Sequence, residues 1–245
     1  MYRNTITRTI LLGDVKYKII NLTEPLKMDV EVFPGNPKPR KEIFRKYSKN
    51  SSRYNIYSIG DHIFHPHGDA PNHQNAEDRD LGFECWDLDF VFNKACMIDL
   101  SEDKEAIKIN GNKYVTIITK KNLEPFRKYF PGKNAIIVRT GYDKVVQSNQ
   151  KHIRKNIPYF DKSAVDFILE YTKLKVIGID SLTIDGPGEK YAHQQFKEKL
   201  IVEALVNLSN IPRKNRLQFD LQTSPIAIVG ATGGPVLAYA YIAIE

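Results

Sequence analysis

Short apolar runs, each bounded by polar or turn-forming residues, recur along the chain. Residues 96–100 and 135–139 carry apolar side chains at nearly every position, which is the pattern of strands buried on both faces. Residues 15–22 and 54–59 have weaker β character, and the second run leads directly into a cluster of histidines. The pattern predicts a β-sheet that is covered on both sides.

A helix followed by a buried strand is predicted in the second half of the chain. Asp161 is a suitable helix N-cap, and it precedes three apolar residues at helical spacing: Val165, Ile168 and Leu169. The next apolar run, residues 176–180, has the length and composition of a buried strand. Alternation of helix and strand favours an α/β fold.

One further predicted strand contains a carboxylate. Residues 200–206 are apolar except for Glu203. A carboxylate inside a buried strand must be paired, protonated or bound to a metal. Pairing with a basic residue such as Arg139 would make Glu203 structural, whereas metal binding would make it functional.

The end of the chain could be mistaken for a membrane span. Residues 225–244 carry no charge, and a stretch of this length can cross a bilayer. Gly230, Gly233, Gly234 and Pro235 interrupt it. We therefore predict two buried segments around a turn, and no membrane partner.

Length and composition are those of one folded domain. The chain has 245 residues, of which 42% are hydrophobic, and it has no repeat, low-complexity tract or linker. We predict a single domain over residues 1–245, with 1–14 as a flexible N-terminal arm. Lys and Arg exceed Asp and Glu by 36 to 29. We interpret this excess as spread along the chain, and we therefore expect no nucleic-acid partner. The alternative is a nucleic-acid-binding protein, which would be retained on DNA or RNA in a steeply salt-dependent way.

Cysteine usage and the N-terminus favour a cytoplasmic protein. Cys85 and Cys96 are the only cysteines and form no C-x-x-C motif, so a disulfide framework or a thiolate zinc site is not expected. The N-terminal apolar run is far shorter than the core of a signal peptide.

Four of the six histidines lie within residues 62–73. His67 and Asp69 are separated by one residue, so on an extended backbone both side chains leave the same face and can bind one ion. A set of imidazole and carboxylate donors suits zinc or manganese. His73 lies beyond Pro71, a position suited to a general base or acid beside the metal. The alternative is that these histidines are polar loop residues that form hydrogen bonds.

Several motifs, in order along the chain, resemble those of the metal-dependent cyclase-like hydrolases, the family that includes bacterial kynurenine formamidase and isatin hydrolase. The hallmark of the family is HxGTHxDxPxH, and its second half is matched by residues 67–73, HGDAPNH. Five further stretches are similar to family motifs: residues 21–26 with 32–37 (NLTEPL, VFPGNP), 138–142 (VRTGY), 178–185 (GIDSLTID), 201–208 (IVEALVNL) and 230–236 (GATGGPV).

The resemblance implies a fold, an activity and a set of site residues. It implies a cyclase-like swivelling β/β/α domain with a mixed β-sheet or barrel core, one or two Zn or Mn ions, and a homo-oligomer, either dimer or tetramer. It implies hydrolysis of an amide C–N bond in a small-molecule substrate, with arylformamides first and cyclic amides second. The residues to which it assigns metal binding are His67, Asp69, His193 and Glu203, and it makes His73 the catalytic base or acid.

The chain departs from the family motifs at two points. Ile63 aligns with the first histidine of the hallmark, and either His65 or His62 would have to replace it as a ligand. His193 precedes Glu203 by ten residues, two fewer than in the family, and a gapless alignment would place Tyr191 at the ligand position. A relative with an altered metal site, acting as a cyclase or dehydratase or as a non-catalytic binding protein, is therefore the alternative hypothesis.

Other residues near the motifs have both a functional and a structural interpretation. Phe33, Phe64 and Trp86 are candidates for an aromatic substrate pocket, although aromatic residues in an α/β domain also form plain core. Asp180 and Asp185 are expected to cap turns at strand ends.

Overall fold

The computed structural model describes residues 5–30, 32, 36–63, 65–73, 75–104, 106–109, 112–148 and 156–244. The strands are β1 (Thr7–Leu12), β2 (Val15–Asn21), β3 (Arg40–Arg45), β4 (Tyr54–Ser58), β5 (His67–Asp69), β6 (Phe92–Asp99), β7 (Ile107–Ile109), β8 (Asn112–Tyr114), β9 (Ile117–Ile118), β10 (Ala135–Arg139), β11 (Tyr159–Phe160), β12 (Val176–Ile179), β13 (Leu200–Glu203), β14 (Phe219–Pro225) and β15 (Gly233–Ile244). The α-helices are α1 (Lys120–Leu123), α2 (Asp143–Ser148), α3 (Lys162–Leu169) and α4 (Tyr191–Gln195).

A nine-stranded mixed sheet closes on itself to form the barrel core. Its order is β1-β2-β15-β14-β6-β10-β12-β13-β5, and β5 also pairs with β15, which completes the ring. Strands β6, β10, β12 and β13 run parallel to one another, whereas β5 is antiparallel to both of its neighbours. The predicted single-domain α/β fold with a mixed sheet or barrel core is confirmed.

The central strands are buried on both faces, as the apolar runs predict. Every residue of β10 is buried, and its side chains alternate between two hydrophobic clusters. Ile137 packs with Met97 and Val202 on one side of the sheet. Ile136 and Val138 pack on the other side, beneath α3. This double coverage explains why the strand sequence shows no alternation of polar and apolar positions.

Helix α3 begins where the sequence predicts. The Asp161 side chain accepts a hydrogen bond from the Ala164 backbone N–H at 2.9 Å, which satisfies one of the unpaired donors at the helix start. Ala164, Val165, Phe167 and Ile168 are buried on the face that packs against the sheet. Burial of one large apolar side chain of this kind contributes about 1.5–3 kcal/mol.

Two expectations for the ends of the chain differ from the structure. In the N-terminal segment, Thr7–Leu12 form β1, antiparallel to β2, so this part is a strand rather than a flexible arm. Near the C-terminus, residues 226–230 are exposed, and only β15 is a buried strand after the turn. The partner of β15 is β14, in which buried and half-buried positions alternate along Phe219–Pro225. This alternation is a strand signal, but no strand was predicted there.

None of the helices in the described residues is long and apolar enough to span a membrane.

Candidate metal centre

The short strand β5 brings the central part of the histidine cluster into the sheet. It lies between β13 and β15, with His67 directly opposite Glu203 in register. Because alternate side chains of a strand share a face, Asp69 points to the same side as His67. All three side chains are buried. The predicted convergence of these residues therefore follows from strand pairing.

Donor atoms of His67, Asp69 and Glu203 all lie within 4.8 Å of one another. His67 Nε2 is 3.4 Å from Glu203 Oε2 and 3.8 Å from Asp69 Oδ1. His67 Nδ1 lies 2.9 Å from the backbone carbonyl of His65 and donates its proton to that oxygen. Nε2 therefore keeps a free lone pair that points at the two carboxylates, the orientation of a metal-ligating histidine.

His193 joins the cluster from α4. Asp185 accepts hydrogen bonds from the backbone N–H of Ala192 at 2.7 Å and from His193 Nδ1 at 2.5 Å. His193 Nε2 then lies 3.1 Å from Asp69 Oδ2 and 3.5 Å from Glu203 Oε1. Asp185 was expected to cap a turn. Asp185 does accept a hydrogen bond from a backbone N–H in the first turn of α4, and it also fixes the ring orientation of His193.

His62 is the additional histidine at the centre. Its Nδ1 is 3.0 Å from Asp69 Oδ1, and its Nε2 is 3.1 Å from the Thr232 hydroxyl. Thr232 in turn donates to Asp61 at 3.0 Å. Donor atoms of His62, Asp69 and His73 form a second group within 4.8 Å, so Asp69 belongs to both groups. The Asp61–Thr232 link to His62 was not visible in the sequence.

The structure does not bring His65, which was proposed as a metal ligand, into either group. Its Nε2 lies 2.6 Å from the backbone carbonyl of Glu24, and its Nδ1 lies 3.1 Å from the carbonyl of Pro66. The chain bends at residues 65–66 before β5 begins, so the His65 side chain does not follow the face on which His67 and Asp69 lie. Ile63, at the position of the first motif histidine, is fully buried.

His73 lies at the edge of the cluster and is partly exposed. It ends the short 3₁₀ turn Pro71–His73. Its ring stacks on His62 with centroids 3.8 Å apart and meets the His193 ring edge-on at 5.5 Å. This position, beside the buried donors and reachable from solvent, suits a group that exchanges protons with a substrate.

Burial and charge shift the pKa values of the cluster in opposite directions. Burial raises the pKa of Asp69, but its contacts with His193 and His62 outweigh this effect and hold that pKa well below the usual range. Burial and repulsion by Asp69 raise the pKa of Glu203 to about 7. Burial lowers the pKa of His67 and of His73 to about 4 in each case. Burial lowers the pKa of His193, but its hydrogen bonds with Asp185 and Asp69 outweigh this effect and hold that pKa well above the usual range. The cluster therefore combines the neutral imidazoles of His67 and His73 with an ion pair between His193 and Asp69.

The donor set fits a divalent metal ion. Asp69 Oδ1 and Glu203 Oε1 are buried without a hydrogen-bond partner among the described residues, although His62 Nδ1 lies 3.0 Å from the first oxygen and His193 Nε2 lies 3.5 Å from the second. Buried carboxylate oxygens that lack partners carry a large desolvation cost. A cation between these oxygens and the imidazole nitrogens would compensate this cost, and mixed nitrogen and oxygen donors suit zinc or manganese.

Arg139 does not neutralise Glu203, which removes the structural alternative considered for that carboxylate. Arg139 Nη1 donates to Asp99 at 3.0 Å, and Arg139 Nη2 lies 3.7 Å from Asp143. Asp180 caps the turn after β10, as expected, by accepting from the backbone N–H of Thr140 at 2.9 Å. These groups form a separate polar cluster at the ends of β6, β10 and β12.

Trp86, a predicted substrate-binding residue, supports the strand that carries the ligands. Its indole Nε1 donates to the backbone carbonyl of Asp69 at 2.9 Å, and its ring packs edge-on against Phe90 at 4.7 Å. It belongs to the hydrophobic core. The other two aromatic candidates, Phe33 and Phe64, lie outside the described residues.

A cavity of about 620 Å³ opens beside His193 and Asp185. Its wall includes several apolar side chains: Ile117, Ile157, Tyr159 and Pro187. Polar and charged side chains line the rest of it, among them Thr183, Asp185 and Glu189. A cavity of this volume with both apolar and polar lining can hold a small molecule.

The chain matches a known protein family. The family model described as "Putative cyclase" matches residues 20–186, and the chain belongs to this family.

Solved structures of hydrolases share the fold. Isatin hydrolase A from Labrenzia aggregata, bound to benzyl benzoate, is 18% identical over 93% of this chain and 94% of its own, with a TM-score of 0.74. An isatin hydrolase bound to the product analogue thioisatinate has a TM-score of 0.75 at 18% identity over 93% of each chain. A predicted metal-dependent hydrolase from Bacillus stearothermophilus is 16% identical over 92% of this chain and 98% of its own, with a TM-score of 0.63. A search of curated proteins gave no significant match.

Proposed function

We propose that this protein is a metal-dependent hydrolase that cleaves an amide C–N bond of a small molecule with water. The observation that carries the proposal is the pair of buried carboxylate oxygens, Asp69 Oδ1 and Glu203 Oε1, that face imidazole nitrogens and have no hydrogen-bond partner. When bound there, a divalent ion supplies a Lewis acid that polarises a carbonyl and lowers the pKa of water from 15.7 to about 7.

One or two zinc or manganese ions are proposed, because both carboxylate oxygens of Asp69 face imidazole nitrogens, so Asp69 could bridge if two ions were bound. His67, Asp69 and Glu203 would hold the first ion, with His193 Nε2 directed at the same carboxylates. His62 is the nearest substitute for the histidine that Ile63 replaces. Since the ring of His62 is held by Thr232 and contacts Asp69, it can complete a donor set without a shift of the backbone.

His73 is proposed to carry the proton. Its imidazole, partly exposed at the edge of the cluster, would accept a proton from the attacking water and deliver it to the departing nitrogen, a transfer that typically contributes about 10² to 10⁴ in rate. The stacked His62 ring limits the orientations that the His73 ring can adopt. Asp185 holds the His193 ring in place and so keeps the carboxylates positioned relative to His73.

The substrate is proposed to be an arylformamide such as N-formylkynurenine, with a cyclic amide as the second choice. The cavity beside His193 has a volume of about 620 Å³, and Ile117, Ile157 and Tyr159 in its lining offer apolar contacts to an aromatic ring. The cyclic-amide choice is supported by the fold shared with the isatin hydrolases.

Metal analysis of protein purified without a polyhistidine tag tests the proposal. We expect about one or two divalent ions per chain, removal of these ions by a chelator together with amidase activity, and recovery of activity on addition of zinc or manganese. Hydrolysis is to be measured on N-formylkynurenine and on isatin in parallel. Absence of bound metal, with no binding on titration, would instead support a non-catalytic binding protein that keeps the fold.

The protein is also proposed to be a homo-oligomer, with a dimer as the smallest unit. The resemblance to the family motivates this expectation, and a large exposed hairpin supports it.

A further inference from the structure

One hairpin of the protein carries a high positive charge. Residues 38–59 contain seven Lys or Arg and one Glu, a net charge of 7 − 1 = +6, out of +7 for the whole chain. Strands β3 and β4 of this segment pair with each other and with no other strand in the described part of the chain. Residues 107–133 also contain seven Lys or Arg and one Glu, a net charge of 7 − 1 = +6. The basic excess is therefore spread along the chain, and this hairpin is one of its most basic parts.

The same hairpin, here called the basic hairpin (residues 38–59), exposes large apolar surface. Its aromatic residues are more than half exposed: Phe44 60%, Tyr47 79%, Tyr54 54% and Tyr57 54%. None of its Lys or Arg side chains forms an ion pair with any described residue. An isolated two-stranded hairpin is at best marginally stable in water, and an exposed apolar patch of this kind marks an interaction surface.

A second segment has complementary charge, although two of its acids, Asp78 and Asp89, already pair with Lys197 and Lys175. Residues 77–89, here called the acidic segment, contain six Asp or Glu and one Arg, a net charge of 1 − 6 = −5. Leu81 and Leu88 in this segment are 48% and 86% exposed. Glu77 and Asp80 are exposed as well, and neither forms an ion pair with a described residue.

We propose that the basic hairpin of one copy docks on the acidic segment of a second copy of this chain. In a two-fold symmetric dimer this contact forms twice, and the two segments together supply more than the roughly 20–30 residues per side of a standard interface. Single-stranded nucleic acid or an anionic membrane would match the basic hairpin alone. Neither would account for the acidic segment with its exposed leucines, so the second copy is favoured.

The proposed interface borders the candidate metal centre. The basic hairpin leads directly into Asp61 and His62, and the acidic segment starts four residues after His73. Trp86 of the acidic segment donates to the backbone carbonyl of Asp69. Docking therefore places a partner surface next to both ends of the histidine cluster.

Charge reversal in the full-length protein tests the proposal. In sedimentation velocity, wild type is expected to dimerise, with weaker association in 1 M than in 0.15 M NaCl. The variant R45E/K46E and the variant E77K/D80K are each expected to dissociate at least about tenfold more readily. Mixed together they should re-form a dimer, because both contacts in the mixed dimer again join opposite charges. The control K128E/K173E carries the same charge change on another surface and should associate like wild type.

Other outcomes would overturn the proposal. Monomeric wild type at all concentrations would remove the homo-oligomer as well as its interface. A dimer that R45E/K46E leaves intact would keep the oligomer and place its interface elsewhere. Failure of the mixed variants to associate would show that the hairpin and the acidic segment are not partners. Binding of a monomeric wild type to single-stranded RNA, or to phosphatidylserine vesicles, would assign the hairpin to that ligand instead.

Discussion

His62 and His65 are three residues apart and have different environments. His62 contacts Asp69 and Thr232, whereas both ring nitrogens of His65 face backbone carbonyls. The sequence left both as possible replacements for the missing histidine. The choice between them depends on the bend at residues 65–66, and residue spacing alone does not predict such a bend.

Removal of the His62 side chain is expected to weaken metal binding, and removal of the His65 side chain is not. For H62A we predict a loss in zinc or manganese affinity of about tenfold or more, measured by competition with a chromophoric chelator. H65A is the matched control, since it deletes a buried imidazole that faces away from the donor atoms. Equal losses for both variants, or a larger loss for H65A, would place His65 in the metal site.

The His73 side chain is expected to matter for turnover and not for metal content. H73A should lower kcat by about 10² to 10⁴, while metal analysis of the purified variant should match that of wild type. The physical reason is that His73 lies at the partly exposed edge of the cluster, outside the group formed by His67, Asp69 and Glu203. Loss of one ion per chain along with activity would make His73 a ligand of a second ion.

At the scale of elements, the length and burial of a strand decide whether its sequence reveals it. Strand β10 and helix α3 were predicted with correct or nearly correct bounds because each combines strong burial with clear end signals. Strand β5 has three residues, too few for any periodicity. Its position was inferred from the one-residue spacing of His67 and Asp69, but its pairing with both β13 and β15 is a tertiary feature.

The pairing of β5 with β15 depends on a close approach at Gly233. A Cβ atom there would lie 2.5 Å from His62 Cε1 and 2.7 Å from the backbone carbonyl of Gly68, so one strand must shift. G233A is expected to destabilise the protein by about 1–3 kcal/mol, which corresponds to roughly 2–4 °C in Tm for each kcal/mol. It should also weaken metal binding, because the shift moves His62 or β5.

Thermal unfolding and metal titration of G233A check this expectation. G60A is the matched control, since a Cβ at Gly60 would meet no atom within 4 Å, and it should leave both Tm and metal affinity unchanged. Wild-type values for G233A would mean that the two strands are not as closely paired as the structure shows.

For the whole molecule, closure of the barrel accounts for the position of the metal centre. Parallel strands end at the same edge of the sheet, which brings Asp99, Arg139 and Glu203 to one side as the ends of β6, β10 and β13. The apolar runs and their polar last residues make this edge predictable from sequence. The strand order cannot be predicted in this way. The sequence therefore could not show that Arg139 pairs with Asp99 and Asp143, whereas Glu203 lies beside the histidines of β5.

The polar cluster at this edge is expected to make stability depend on pH. Burial and repulsion by Asp180 raise the pKa of Asp143 from 3.8 to about 7. Both Asp180 oxygens already accept hydrogen bonds, from Thr140 and Gly141, so the proton shared by the two acids resides on Asp143. The folded state therefore binds this proton between pH 3.8 and about 7, and the unfolded state does not.

The sign of the effect follows from proton linkage. Because the pKa of Asp143 is higher in the folded state, its contribution to stability is fully present below pH 3.8 and is lost as the pH rises through about 7. Asp143→Asn cannot ionise, so the free energy of unfolding of the variant minus that of wild type should rise by about 1–3 kcal/mol between pH 5 and pH 8. Urea unfolding of both proteins at four pH values in this range measures the difference, in which the titration of groups remote from Asp143 cancels. A difference that stays constant, or falls, with rising pH would show that Asp143 is ionised in the folded protein and is stabilised there by Arg139.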